Sequence, residues 1–253
     1  MEYGICNLAL IPLRAEGDER SEQVSQILFG ETFEILEWQE HWVNINTSYD
    51  NYTGWIARLQ FELIAAAEYQ ELQNTPVLLT NSATSWVFRK LDMGLLYLPF
   101  GSLLPFVEDN ECRVGAQTYI ITENDEPDES ITETAMQFMN APYLWGGRTH
   151  FGIDCSGLTQ AVYRQHDIKI DRDASQQVKQ GKLIESLDDA QPGDLAFFEN
   201  KEGKITHVGI MLDDGQIIHA SGKVKIDSID EHGIYSEEQQ RHTHRFNCLR
   251  RYV

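Results

Sequence analysis

Basic side chains are scarce: twenty lysines and arginines stand against forty aspartates and glutamates, a formal charge of −20 at neutral pH. Such a field repels phosphate backbones, so nucleic acid is not an expected partner, and it weighs against docking on anionic membranes. No apolar run approaches the roughly 20 residues a bilayer-spanning helix needs. The start, Met1 to Leu13, carries Glu2 and Asn7 and has no basic segment, so no secretory signal is read and a cytoplasmic location is expected. Four cysteines (Cys6, Cys112, Cys155, Cys248) lie far apart without a C-x-x-C pair, which predicts free thiols over a disulfide framework. Absent too are G-x-G-x-x-G, a Walker loop, H-E-x-x-H and G-x-S-x-G, and no cofactor is expected.

What the chain does have is 42% apolar and 10% aromatic residues over a length that suits two or three modules. Up to about Ile64 it reads as short strands: Thr32 to Trp38 and Trp42 to Asn46 alternate with period two, and Gly30-Glu31 marks a turn. Many short strands separated by turns predict a small barrel at 1–64. A short helix is expected from Ala65 to Leu72, then strands such as Val77-Leu78-Leu79 and Thr118 to Ile121, a second barrel over 65–122. An acidic, proline-containing run at 123–129 reads as a solvated linker. Ser130-Ile131-Thr132-Glu133 has capping-box spacing and opens a new domain, 130–253.

In that domain Cys155 begins an amphipathic run ending near His166, and a second helix is predicted from Ala174 to Gln180, with Gly181 as its stop. Four strands follow: Asp194 to Phe198, His207 to Leu212, Gln216 to Ala220 and Cys248 to Val253. Helices followed by an antiparallel sheet define an α+β domain. A cysteine at a helix N-terminus beside an imidazole is the arrangement that stabilises a thiolate. His207 can supply that imidazole, and His219, on the neighbouring strand, can hold its tautomer. His242-Thr243-His244 reads as a solvated strand face, since no further ligands stand near it in sequence, and no metal site is assigned.

Pro142-Tyr143-Leu144-Trp145-Gly146-Gly147, Asp154-Cys155-Ser156-Gly157-Leu158, Gln191-Pro192-Gly193-Asp194-Leu195 and His207-Val208-Gly209-Ile210, in that order, resemble the NlpC-type papain-like cysteine peptidases. Leu13-Arg14, Gly30-Glu31, Trp42-Val43 and Gly54-Trp55-Ile56 likewise resemble bacterial SH3-like domains. The resemblance implies a papain-like domain preceded by one or two SH3-like barrels. Cys155 would be the nucleophile, His207 the base and His219 the orienting group, with the Tyr143 side chain and the Cys155 N–H as oxyanion donors. It further implies cleavage after the γ-linked D-glutamate of small murein peptides with a free N-terminal L-alanine. Asp173, in Arg172-Asp173-Ala174-Ser175, would meet the amine, with Ser175, Trp145, Asp154, Ser156, Glu22 and Tyr52 as further substrate contacts. For Asp154 and Asp173 helix capping is the competing role. Wall remodelling outside the cell, acyl transfer, and an inert peptide-binding protein stay open as alternatives.

Overall fold

The computed structural model describes residues 1–122 and 130–252, so the acidic run expected as a linker at 123–129 lies outside the described residues. The chain divides into two compact units, 1–126 and 127–253.

Period-two alternation becomes a barrel-like sheet in the N-terminal unit. Seven antiparallel strands lie in the order Gln23–Leu28, Leu10–Arg14, Thr53–Ala57, Trp42–Thr47, Thr32–Trp38, Glu2–Ile5 and Glu62–Ile64. Val43 and Ile45 point inward between outward Trp42, Asn44 and Asn46, and join Ile11, Leu13, Ile27, Phe33 and Ile56 in one core. The helix α1 spans Ala66–Asn74, two residues beyond the expected end. The segment expected as a second barrel forms a four-stranded sheet and a separate two-stranded ladder. It is not a domain apart. Val87, Leu98, Leu104, Val114 and Tyr119 share a core with Tyr3, Phe29, Ile64, Tyr69 and Leu72, so one hydrophobic interior spans both halves of this unit.

The C-terminal unit is α+β. Helix α2, Ile131–Gln137, is capped by Ser130, whose hydroxyl accepts from the Glu133 N–H at 3.2 Å, as its capping-box spacing requires. Helix α3 covers Cys155–Gln165 and α4 only Ala174–Gln177, shorter than its expected run to Gln180. The sheet runs Lys182–Ile184, Arg241–Arg251, Leu195–Glu199, Ile205–Met211, Gln216–Ser221, Lys223–Asp230 and Gly233–Ser236. The last of these also pairs with Arg241–Arg251, closing six strands into a barrel. Three of these strands, Lys182–Ile184, Lys223–Asp230 and Gly233–Ser236, were not expected, and the C-terminal strand begins seven residues earlier than its predicted start at Cys248.

His150 stacks on Phe138 at 3.9 Å, and burial lowers its pKa to about 4 from an ordinary 6.5. Between those values the unfolded chain takes the proton first, so this ring's stabilisation is complete above pH 6.5 and fades as pH falls through the window. The loss is up to about 3 kcal/mol. Urea unfolding at pH 7 and pH 4.5 should show a smaller acid penalty in His150→Phe than in the parent; equal penalties contradict the assignment.

Candidate active site

Asp154 ends its strand-like approach and caps α3, its Oδ1 accepting the Gly157 N–H at 2.7 Å. Its Oδ2 accepts the Gly146 N–H at 2.8 Å. Arg172, 1% exposed, grips both oxygens at 3.0 and 2.7 Å and also donates to Ser156 Oγ at 3.0 Å. A buried bidentate pair of this kind is costly to break, about 3–5 kcal/mol when one partner is removed, because the other charge is left stranded. It locks the first turn of α3, where Cys155 is the first residue. Gly157 is required there by space: a Cβ would stand 2.3 Å from the Gly147 carbonyl oxygen.

Across from this helix, His207 Nε2 and His219 Nδ1 are 2.9 Å apart. His219 Nε2 is 3.1 Å from Asp227 Oδ2, which also takes Lys225 Nζ at 2.9 Å. The carboxylate can only accept, so His219 carries its proton on Nε2 and offers Nδ1 as an acceptor. His207 therefore donates through Nε2 and keeps the lone pair of Nδ1 as a base. Gly209, two residues along the same strand, leaves room for this line: a Cβ there would sit 2.9 Å from His219 Cβ and 2.7 Å from Ile217.

Burial pushes the Cys155 thiol up to about 12, and the Asp154 charge adds to the rise, outweighing a hydrogen bond from the Val208 backbone and the Arg172 charge. Burial, then the neighbouring His244, His219 and Lys225, holds His207 well below its ordinary value. For Asp227 burial acts upward, but hydrogen bonds from His219 and Lys225 hold it below the ordinary carboxylate value. The expectation of a resting thiolate is therefore not met. Both shifts favour a neutral thiol beside a neutral imidazole while the site is closed, because the helix N-terminus does not repay the desolvation of sulfur.

The other expected residues divide. Tyr143 is half-buried, and the charges of Cys155 and Asp154 add to the burial that raises its hydroxyl to about 12. Trp145 is 58% exposed. Asp154 and Ser156 are buried, and their oxygens are engaged in the clamp just described; capping, not an open carboxylate, is the Asp154 role on view. Asp173 is half-buried at the start of α4, its N–H donating to Gln176 Oε1 at 3.0 Å, and Ser175 is exposed. Glu22 and Tyr52 belong to the N-terminal unit, where Glu22 is exposed and Tyr52 packs on the barrel core.

Two residues escaped the sequence reading. Asp227 sits on one of the unexpected strands, although Val224 and Ile226, set between Lys223, Lys225 and Asp227, carry the alternation of one. His244 was read as solvated with His242. A register shift at Thr243 pairs His242 with Tyr235 and His244 with Ile234, placing the two rings on opposite faces. His242 bonds to Asp230 in solvent, whereas His244 stacks on His207 at 4.0 Å.

Imidazole, imidazole and carboxylate in line, on an antiparallel sheet packed against the helix that Cys155 opens, suit a cysteine hydrolase of papain-like design. Residues 140–243 match the NlpC/P60 family and residues 13–60 the bacterial dipeptidyl-peptidase SH3 domain. The C-terminal unit thus carries an NlpC/P60 domain. Gamma-D-glutamyl-L-lysine dipeptidyl-peptidase of Bacillus subtilis (strain 168) is 29% identical over 238 residues, 85% of this chain and 78% of that protein. Dipeptidyl-peptidase 6 of Lysinibacillus sphaericus is 28% identical over 267 residues, 89% and 92% of the two chains. An NlpC/P60 family protein from Bacillus cereus ATCC 10987 has the same fold, with a TM-score of 0.82 at 20% identity over 99% of each chain.

Asp227 acts on His207 through one intervening ring, so its loss should cost less than the ~10⁴-fold seen when a directly bonded aspartate is neutralised. Asp227→Asn is expected to lower kcat about a hundredfold with little change in KM. An unchanged kcat, or a change confined to KM, contradicts the relay.

Proposed function

We propose that this protein is a cysteine dipeptidyl-peptidase that hydrolyses the bond between γ-D-glutamate and a diamino acid in small murein peptides whose N-terminal L-alanine is free. The observation that carries it is the fixed Asp227–His219–His207 line, which leaves a basic nitrogen on the ring beside the helix that bears Cys155. The match of the N-terminal unit to a dipeptidyl-peptidase SH3 domain, and relatives named for that activity, supply the substrate class.

In the proposed reaction the Cys155 thiol gives its proton to His207 Nδ1 as sulfur adds to the glutamyl carbonyl. The imidazolium then returns that proton to the departing amine of the diamino acid, leaving a thioester on Cys155. Water adds with His207 again as base, the acid product leaves, and the thiol is restored. Asp227 and Lys225 keep His219 in place while the positive charge on His207 comes and goes. Backbone N–H of Cys155 and the Tyr143 hydroxyl are the proposed donors to the oxyanion, one such donor being worth about 3 kcal/mol.

An ammonium is tolerated away from water only beside an anion. Asp173, half-buried at the head of α4, is the proposed partner of the substrate N-terminus, with Ser175 and Trp145 as further proposed contacts. A requirement for a free amine suits peptides already released from glycan, and hence a cytoplasmic recycling role; remodelling of intact wall outside the cell is the competing assignment.

Mass spectrometry of L-Ala-γ-D-Glu-L-Lys and its meso-diaminopimelate counterpart tests this directly. The expected products are L-Ala-D-Glu and the free diamino acid, with the N-acetylated peptide cut at least a hundredfold more slowly. Cys155→Ala should abolish cleavage. Equal rates on free and acetylated peptides would overturn the dipeptidyl reading, and undiminished cleavage by Cys155→Ala would overturn the nucleophile.

A further inference from the structure

Beside the proposed relay stands a third imidazole that the reaction does not use. His207, His219 and His244 each bring a ring nitrogen to within 4.8 Å of the other two. We propose that these three histidines form an inhibitory site for a borderline transition-metal cation of the Zn²⁺ type.

The donor set selects the ion. Three imidazole nitrogens suit Zn²⁺ or Cu²⁺ and offer nothing to Mg²⁺ or Ca²⁺, which demand oxygen. Behind His219 lies Asp227, hydrogen-bonded to the ring nitrogen that faces away from the cluster at 3.1 Å. A carboxylate on the far nitrogen of a ligating histidine orients the ring and raises its basicity. In its stacked arrangement His244 is held by Thr243, a bond it gives up when it turns toward the ion. The Thr243 hydroxyl donates to the Ile234 carbonyl at 3.3 Å and so accepts from His244 Nδ1–H at 2.9 Å, leaving Nε2 with its lone pair.

In the metal-free arrangement His244 lies nearly parallel to His207, with 23° between the rings. A metal is held in the plane of each imidazole, so the half-buried His244 must turn about its Cα–Cβ bond to complete the site. The ion then replaces the hydrogen bond between His207 Nε2 and His219 Nδ1. The displaced proton moves to His207 Nδ1 on the same ring, with no net release, and that is the nitrogen the peptidase reaction needs as a base. Occupancy and catalysis exclude each other.

The inhibition rests on the peptidase reading, but binding does not, and the two are measured separately. Calorimetric titration with ZnCl₂ should give one tight site in the parent protein and in Cys155→Ala, and none with MgCl₂. His244→Phe and His244→Gln should each weaken that site about tenfold or more, the least expected for a lost ligand. Both variants should cleave the tripeptide without metal and resist ZnCl₂ in parallel. Loss of the site in Cys155→Ala would show that the thiol, not the histidine cluster, holds the ion, and unchanged binding in both His244 variants would equally overturn the proposal.

Discussion

Everything proposed for this protein depends on the hydrogen-bond line from Asp227 through His219 to His207. An imidazole has two nitrogens and one proton when neutral, and only the choice of nitrogen decides whether it serves as base or donor. A carboxylate that can only accept settles the choice for His219, and His219 passes it on to His207. Hydrogen bonds from His219 and Lys225 hold the Asp227 carboxyl below its ordinary value in a place where burial alone would raise it. Three strands contribute one step each, and the closed barrel gives none of them freedom to slip in register.

Cys155, the proposed nucleophile, is held by a second, independent device. Arg172 and Asp154 form a buried pair whose other partners are the first turn of α3 and the loop at Gly146. The pair neutralises charge next to Cys155, yet burial still keeps the sulfur protonated. The same closeness that serves proton transfer also brings three imidazoles together, which is why catalytic competence and metal sensitivity are linked here.

Much of this was legible in the chain. Alternation over Trp42 to Asn46 identified the barrel core, Ser130 with Glu133 marked the start of the C-terminal unit, and the motifs around His207 and His219 marked two rings that the fold brings to 2.9 Å. What stayed hidden has physical reasons. Asp227 lies on a strand of alternating charged and apolar residues, Lys223–Asp230, whose lysines and aspartates make it read as a solvated loop in so acidic a chain. His244 was concealed by the register shift at Thr243, since period-two reasoning places residues 242 and 244 on one face. Arg172 is fully buried, a position that arginine takes only when its charge is matched, and its match, Asp154, lies 18 residues away in sequence. The core joining the two halves of the N-terminal unit escaped for a similar reason: local patterns say which residues are buried, not against which partner.

The central claim concerns the position of two protons, and nitrogen-15 NMR of the histidine rings reads that position directly. At neutral pH the account predicts that His207 and His219 are both neutral and both protonated on Nε2, with the His219 signals shifting when Asp227 is replaced by Asn. Finding either ring protonated on Nδ1, or His207 charged in the resting protein, would contradict it.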